Sequence, residues 1–282
     1  MSITIDSYNT DVKNTWCPGC GNFNIHLALK KALAELKKDP SEVVITFDIG
    51  CNGNGGDKIK AFNIKGLHGR ALPIAIGAHL ANREMTTIAT IGDGGCLHEG
   101  IDHLIHGIRS NYNITVLIHN NQNFALTTGQ ITSTTIKGKR MYGFPHGKTE
   151  GDINIGELVL SLNPSFYARG YSGDCIHLTE IIKEGIKHRG FSVIEIIQLC
   201  PTYNREFSHD VASKLVKKVD VSDSIEKARK HILNSKNLSI GVLYQNKKLT
   251  DYYSSLKNRK SIKTELVDEV KRKNISNILA KL

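Results

Sequence analysis

Two sets of residues in this chain have types and spacings suited to chemistry. The first is Gly92-Asp93-Gly94-Gly95, which stands 28 residues before Asn121, with Asn123 two further on. Asp93 offers a carboxylate, Asn121 an amide oxygen and Asn123 a backbone carbonyl. These are the hard oxygen donors that Mg²⁺ prefers, with phosphates and water filling its remaining positions. Gly92, Gly94 and Gly95 let the backbone approach phosphate oxygens, and the amides of a following helix point at the same place. The pattern reads as a magnesium diphosphate site. The alternative is a tight strand-to-helix turn that binds nothing.

The second set is the cysteines. Cys17-Pro18-Gly19-Cys20 is a tight turn that aims two thiols one way. It suits half of a zinc site, a redox dithiol or half of an iron–sulfur site. No second CxxC follows, and no strong strand precedes the motif as a thioredoxin-like dithiol requires. That leaves a metal site completed by distant cysteines, or a chance pair.

The elements that must position these groups are legible. Asn22 to Lys38 reads as a helix with Phe23, Leu27, Leu33 and Leu36 near one face and lysines opposite. Val43–Ile49 is a buried strand that delivers Gly50-Cys51 and the slight loop Asn52–Gly56. Gly66-Leu67-His68-Gly69-Arg70 leads into a helix over Ala71–Ala81, placing His68 and Arg70 at its anion-favouring end. Thr86–Ile91 is a strand, and a helix follows with Leu97, Ile101, Leu104, Ile105 and Ile108 on one face. Ile114–Ile118 is the next strand. Such a unit joins parallel strands by a right-handed crossover, so Asp93 and Asn121 leave the same sheet edge. Thr127–Gly151 is too long for an ordinary connection and reads as a flap near the site. Ser165–Ala168 is a short strand, Leu178–His188 a helix and Phe191–Leu199 the last strong core strand. The strands ending near Cys51 and Cys200 bring those thiols to the edge that carries Asp93. With Cys17 and Cys20, four thiols can converge there, the ligand set of a [4Fe–4S] cubane or of zinc. Cys96 and Cys175 read as structural, although Cys96 lies close enough to be a fifth nearby thiol.

The expected fold is α/β: a mostly parallel sheet with helices on both faces over residues 1–204, plus a basic α+β C-terminal extension over 205–282. In that extension Val211–Val219, Ser224–Leu233 and Ile262–Lys281 read as helices and Ile240–Tyr244 as a strand. A chain of 282 residues with 40% apolar and 23% charged residues can bury a full core. It has no signal-like N-terminal run and no membrane-spanning run, so the expectation is cytoplasmic, with no membrane partner. The net charge of +10 is lopsided, with +1 on residues 1–201 and +9 on residues 202–282. The excess reads as a solvated face or an acidic-partner dock. It is scattered and has no reader motif, so no nucleic-acid partner is expected.

WCPGCGN, IGC, GLHGRALP, IGDGG, HNNQNFALTTGQ and CPTYN, in that order, resemble the β subunit of 2-oxoacid:ferredoxin oxidoreductases. The likeness spans Trp16 to Asn204. It implies a thiamine diphosphate-binding fold of the diphosphate-binding type. It implies that Cys17, Cys20, Cys51 and Cys200 hold one [4Fe–4S] cluster, and that Asp93, Asn121 and the Asn123 carbonyl hold Mg²⁺ against thiamine diphosphate. Cys51, His68, Gly92, Gly94, Gly95, Leu126, Thr127, Gly129 and Gln130 would line the cofactor. The implied reaction is oxidative decarboxylation of a 2-oxoacid, of 2-oxoglutarate or pyruvate type, to acyl-coenzyme A and CO₂, with electrons passing through the cluster to ferredoxin. The carboxylate that activates thiamine would come from an α subunit, in a heterodimer or a dimer of heterodimers. Two departures bear on substrate choice: Gly95 where the family often has Asp, and Asn54 where many members have Lys or Arg, with Lys58 further on. The alternatives are a non-redox thiamine diphosphate-dependent decarboxylase subunit and a zinc-binding adaptor.

Overall fold

β-Branched runs build the centre of the molecule. The computed structural model describes residues 3–234, 236–259, 261–269 and 276. Its strands are β1 (Val43–Phe47), β2 (Phe62–Lys65), β3 (Thr86–Gly92), β4 (Thr115–Asn120), the short β5 (Asn123–Phe124) and β6 (Gln130–Ile131), β7 (Phe166–Tyr171), β8 (Ser192–Ile197), β9 (Val216–Lys218) and β10 (Leu238–Gln245). Eight form one sheet in the order β2-β1-β3-β4-β8-β7-β10-β9, while β5 and β6 pair separately. Every pairing in the large sheet is parallel except β10 against β7. From β1 the chain moves outward to β2, then returns to β3 on the other side. Strand order therefore reverses between β1 and β3, the place where open α/β sheets bind ligands beyond the carboxyl ends of their strands.

The helices are α1 (Asn22–Glu35), α2 (Ala71–Ala81), α3 (Ile101–Ser110), α4 (Ile155–Ser161), α5 (Cys175–Lys187), α6 (His209–Leu215), α7 (Ile225–Ile232), α8 (Tyr252–Ser255) and α9 (Leu266–Glu269). Side chains alternate across the strands, so each strand feeds two cores. Ala89, Ile91, Val116, Ile118 and Val193 join one core with α2, α3, α4 and α7. Ile88, Leu117, Ile194 and Ile196 join the other with α1 and α5. A sheet covered on both faces needs the nearly continuous apolar strands seen here.

Several expected elements differ in detail. α1 buries Ile25, Ala28, Leu29, Ala32 and Leu33, while Phe23 and Leu27 are each 38% exposed. The small alanines let α1 lie close on α5, and this chose the face that apolar bulk alone did not indicate. The helix stops at Glu35 because Lys37 takes a left-handed conformation, and Lys37 and Lys38 donate back to Ala34 and Leu33. After Gly94 the chain makes a wide helical turn over Gly95–Glu99 before α3 starts beyond Gly100. A side chain at Gly100 would strike the Gly69 carbonyl, which explains the break. Leu104 and Ile108 are buried as expected, whereas Ile101 and Ile105 are half-buried. The helix expected over 211–219 ends at Leu215, and Val216–Lys218 instead pairs as β9 with β10. Residues 205–282 thus add two strands to the sheet. Of the final helix expected over 262–281, the short α9 is seen, and most of the remainder lies outside the described residues.

One buried polar network ties the middle of the sheet together. Glu195 accepts hydrogen bonds from Tyr167 (2.5 Å), Arg169 (3.0 Å) and Asn120 (2.8 Å). Burial alone would raise its pKa, but the Arg169 guanidinium and these donors hold it below the ordinary range. Removing one partner from a buried pair strands the other charge, so Glu195→Ala is expected to cost about 3–5 kcal/mol. Denaturant unfolding checks this, and a loss under about 1 kcal/mol would show that Arg169 finds another partner or water.

Candidate active site

A cleft opens where β1, β3 and β4 end. Ile49 to Asn52, His68, Gly92 to Gly95, His119, Asn121, Asn123 to Thr127 and Gln198 line it. Asp93 sits at its base, 1% exposed. Thr132 and Thr134 both donate to its Oδ2, at 2.7 and 2.5 Å. Burial raises its pKa to about 6, against the lowering effect of the two hydroxyls. The long segment after β5 is therefore fastened over the carboxylate. Lys148 holds it from behind, donating to the carbonyls of Ser133 (3.0 Å) and Thr135 (2.8 Å).

The Asn121–Asn123 turn is equally constrained. The Asn121 amide oxygen accepts from the Asn123 amide N–H at 3.0 Å, and the Asn123 side chain donates back to the Asn121 carbonyl at 2.7 Å. Gln122 between them has φ +62°. Asn204 braces the turn from outside, donating to Asn121 and Gln122 at 3.4 Å. An amide oxygen carries two lone pairs, so Asn121 keeps one for a further partner.

Two glycines of the turn after β3 have a structural reason beyond phosphate approach. A Cβ on Gly94 would lie 2.3 Å from the Phe124 ring, and one on Gly95 would lie 2.0 Å from Asp48 Oδ2. Asp48 follows β1 and is fully buried, and burial raises its pKa to about 7. A carboxyl raised by folding stabilises the chain fully below its unfolded value of 3.8, and that contribution is lost as pH rises through the folded value. Without cofactor, the parent's stability relative to Asp48→Asn is therefore expected to fall by roughly 1–4 kcal/mol between pH 4 and 7.5. Thermal unfolding across that range checks it; a gap independent of pH would mean that Asp48 is ionised throughout.

A second cavity adjoins the first. Cys17, Cys20, Cys51 and Cys200 line it, and Cys51, Asn121, Ala125, Leu126 and Gln198 border both. The CxxC turn closes through Cys20 N–H to the Cys17 carbonyl at 3.0 Å. It is fixed beside Cys200 by Gly21 N–H donating to Leu199 at 3.0 Å. Trp16 donates its indole N–H to the Cys51 carbonyl at 2.6 Å, and Gln198 donates weakly to Cys20 Sγ at 3.8 Å. Burial first, and then the other three thiols, push Cys51 up to about 12. A positive centre among them would reverse that and favour thiolates. Among the described residues no three His, Cys, Asp or Glu side chains crowd together as a single ion requires.

Of the residues singled out from sequence, Cys51, His68, Gly92 to Gly95, Asn121, Asn123, Leu126 and Thr127 border the first cleft. Gly129 and Gln130 stand outside that lining: Gly129 packs against Tyr203, and Gln130 accepts from Thr127 at 2.6 Å. Arg70 is turned away, donating to the Glu99 carbonyl at 2.9 Å. Asn54 borders the thiol cavity, and Lys58 is buried against Asp57 at 2.6 Å. Cys96 lies in the apolar core and Cys175 starts α5. Sequence reasoning missed Asp48, Thr132, Thr134, His119 and Gln198. A Thr-rich stretch within an over-long connection was the one signal available. His119 is buried with its Nδ1 on Asn22 at 2.9 Å. Burial, then the charge of His26, lowers it to about 3, so it faces the cleft as a neutral ring.

Comparison with known proteins agrees with this geometry. Residues 48–196 match the family model of the thiamine pyrophosphate enzyme C-terminal TPP-binding domain. The β subunit of a 2-oxoacid:ferredoxin oxidoreductase from Saccharolobus solfataricus is 39% identical over 263 residues, covering 87% of this chain and 86% of that one. A second such β subunit, from Aeropyrum pernix, is 39% identical over 215 residues, covering 75% and 68%. A solved 2-oxoglutarate:ferredoxin oxidoreductase from Magnetococcus marinus, with 2-oxoglutarate, coenzyme A and succinyl-CoA bound, superposes with a TM-score of 0.88. It is 27% identical, and the match covers 99% of this chain and 95% of that one. With its matched TPP-binding domain, this chain belongs to the family of 2-oxoacid:ferredoxin oxidoreductase β subunits.

Proposed function

We propose that the chain carries thiamine diphosphate, Mg²⁺ and one [4Fe–4S] cluster, and with an α subunit oxidises a 2-oxoacid to an acyl-coenzyme A and CO₂ while reducing ferredoxin. The observation that carries this reading is the pair of adjoining cavities, one built from Asp93, Asn121 and glycines, the other from four thiols, with Cys51 in the wall of both. Asp93, the Asn121 amide oxygen and the Asn123 carbonyl would hold Mg²⁺, with Thr132 and Thr134 orienting the Asp93 carboxylate. Cys17, Cys20, Cys51 and Cys200 would hold the cluster. Bound thiamine diphosphate supplies the electron sink for decarboxylation. The chain's own part is to anchor the diphosphate, to keep the neutral His119 and the Gln198 amide at the cleft wall, and to hold the cluster thiols beside it. Residues 1–204 carry this chemistry, and residues 205–282 form the basic extension.

The α subunit is needed because the carboxylate that activates thiamine is expected from it. Phe62 (56% exposed), Ile64 (42%) and Leu67 (75%) form an apolar strip on the edge strand and the loop into His68. A partner that covers this strip would also protect an open sheet edge. Among the described residues no helix is long and apolar enough to cross a membrane. All six cysteines are free, which suits a reducing cytoplasm.

The test is anaerobic copurification with the α subunit, followed by iron, sulfide and zinc analysis and an absorbance spectrum. About four iron per β chain beyond any on α, bleached by a 2-oxoacid only with thiamine diphosphate and Mg²⁺ present, is the expected result. Zinc or no metal would overturn the electron-transfer role, and full activity of the isolated β chain would overturn the need for α.

A further inference from the structure

Asp48 has no part in the reading above, yet it sits at the point where strand order reverses. It follows β1 directly and is fully buried, and its Oδ2 accepts no well-formed hydrogen bond, although the Gly69 backbone amide is near enough to favour the charged form. Its other oxygen, Oδ1, accepts from the Asn52 side chain at 2.9 Å and from the Gly92 amide at 3.4 Å. Those two donors belong to different loops. Asn52 adjoins Cys51 in the thiol-bearing loop, and Gly92 opens the turn that carries Asp93. The thiol-bearing loop also folds tightly over Asp48: a Cβ on Gly53 would lie 2.1 Å from the Asp48 carbonyl. Asn52 in turn fills the space beside Gly50 and Gly92, where added Cβ atoms would stand 3.2 and 3.4 Å from its amide oxygen. Finally, a Cβ on residue 95 would fall 2.0 Å from Asp48 Oδ2. The carboxylate is short, enclosed and held by both donors, so it cannot swing aside and keep them. A side chain at 95 and a carboxylate at 48 exclude each other.

We propose that Asp48 is a positioning residue that locks the Cys51 loop to the Gly92–Gly95 turn, and that residue 95 is glycine to admit its carboxylate. In this role Asp48 sets the spacing between the cofactor turn and the thiol wall, and it touches neither reacting atoms nor substrate. The inference rests on the reading of the first cleft as the thiamine diphosphate site. Its steric part stands without any cofactor.

The test is a double-mutant cycle in protein coexpressed with the α subunit: parent, Gly95→Asp, Asp48→Ala, and the two together. Two quantities are read, the dissociation constant of thiamine diphosphate with Mg²⁺ by calorimetry and the thermal midpoint of cofactor-free protein. Coupled neighbours give non-additive cycles, so we expect about tenfold or greater weakening in Gly95→Asp, about fivefold in Asp48→Ala, and recovery to within about threefold of parent in the pair. The thermal midpoint of the double variant should likewise exceed that of Gly95→Asp. If Gly95→Asp yields no folded protein, folding of the double variant supports the proposal and failure of both overturns it. A double variant whose losses are the product of the single losses overturns it, as does Gly95→Asp behaving like parent. Parent protein that fails to bind thiamine diphosphate would sink the cofactor reading, while the thermal arm still decides the exclusion between 48 and 95.

Discussion

Asp93→Ala is expected to weaken Mg²⁺-dependent thiamine diphosphate binding by about a hundredfold or more and to reduce 2-oxoacid-dependent ferredoxin reduction to background. Asp93 is the one carboxylate among the three proposed Mg²⁺ donors, and a hard cation draws most of its protein affinity from such charge. Thr132 and Thr134 both donate to its Oδ2, and the Asn121 backbone amide also favours its charged form, so the carboxylate is held in place for a cation. Their loss should matter less: Thr134→Val is expected to cost about tenfold to a hundredfold in metal-dependent affinity, the usual range for a group that orients a ligand. The folded chain should survive either change. A buried carboxylate that folding must desolvate is a burden to the cofactor-free protein, as its raised pKa indicates. Calorimetry with and without Mg²⁺, beside a thermal melt, separates the two effects. Near-parental affinity in a folded Asp93→Ala protein would remove Asp93 from the metal site.

Cys200→Ala is expected to abolish the cluster and, with it, electron delivery, while the protein still binds thiamine diphosphate: the Cys200 thiol reaches the neighbouring cleft through the Asn123 side chain at 3.9 Å, and neither group is among the proposed Mg²⁺ donors. Cys200 is 6% exposed on the strand-end side of the thiol cavity. It faces the CxxC turn that Gly21 and Leu199 tie to it. A cubane missing one of four thiolates is lost or reduced to fewer irons, so iron analysis and the visible spectrum report the change directly. Cys96 and Cys175 are the controls. Cys96 lies in the apolar core, so Cys96→Ala should cost about 1–2 kcal/mol of stability and no iron. Cys175→Ser should leave both iron and activity in place. Iron retained by Cys200→Ala, or lost by Cys96→Ala, would reassign the ligands.

The main elements were readable because each is a local property. A run of β-branched residues bounded by Gly-rich segments favours a strand, because such side chains fit a pleated, packed surface. The crossover rule then places Asp93, Asn121, Cys51 and Cys200 on one edge without knowledge of any contact. Misreadings arose where packing partners set the outcome. The buried face of α1 followed its alanines, because α5 approaches closely there. The wide turn over Gly95–Glu99 followed the meeting of Gly69 with Gly100. The strand at 216–218 forms only because β10 lies beside it.

By itself, then, the sequence determined the α/β class, the family, and which residue types gather at the carboxyl edge, since these depend on periodicity, residue chemistry and strand direction. Tertiary structure alone decided how those groups are held. From the sequence, Gly95 is a missing family carboxylate; in space, a carboxylate from residue 48 fills the position its side chain would take. Thr132 and Thr134 reach Asp93 across about forty positions of chain, and Arg70 turns from the cleft to a carbonyl. Such contacts depend on distance and direction between side chains remote in sequence, and no local pattern encodes them.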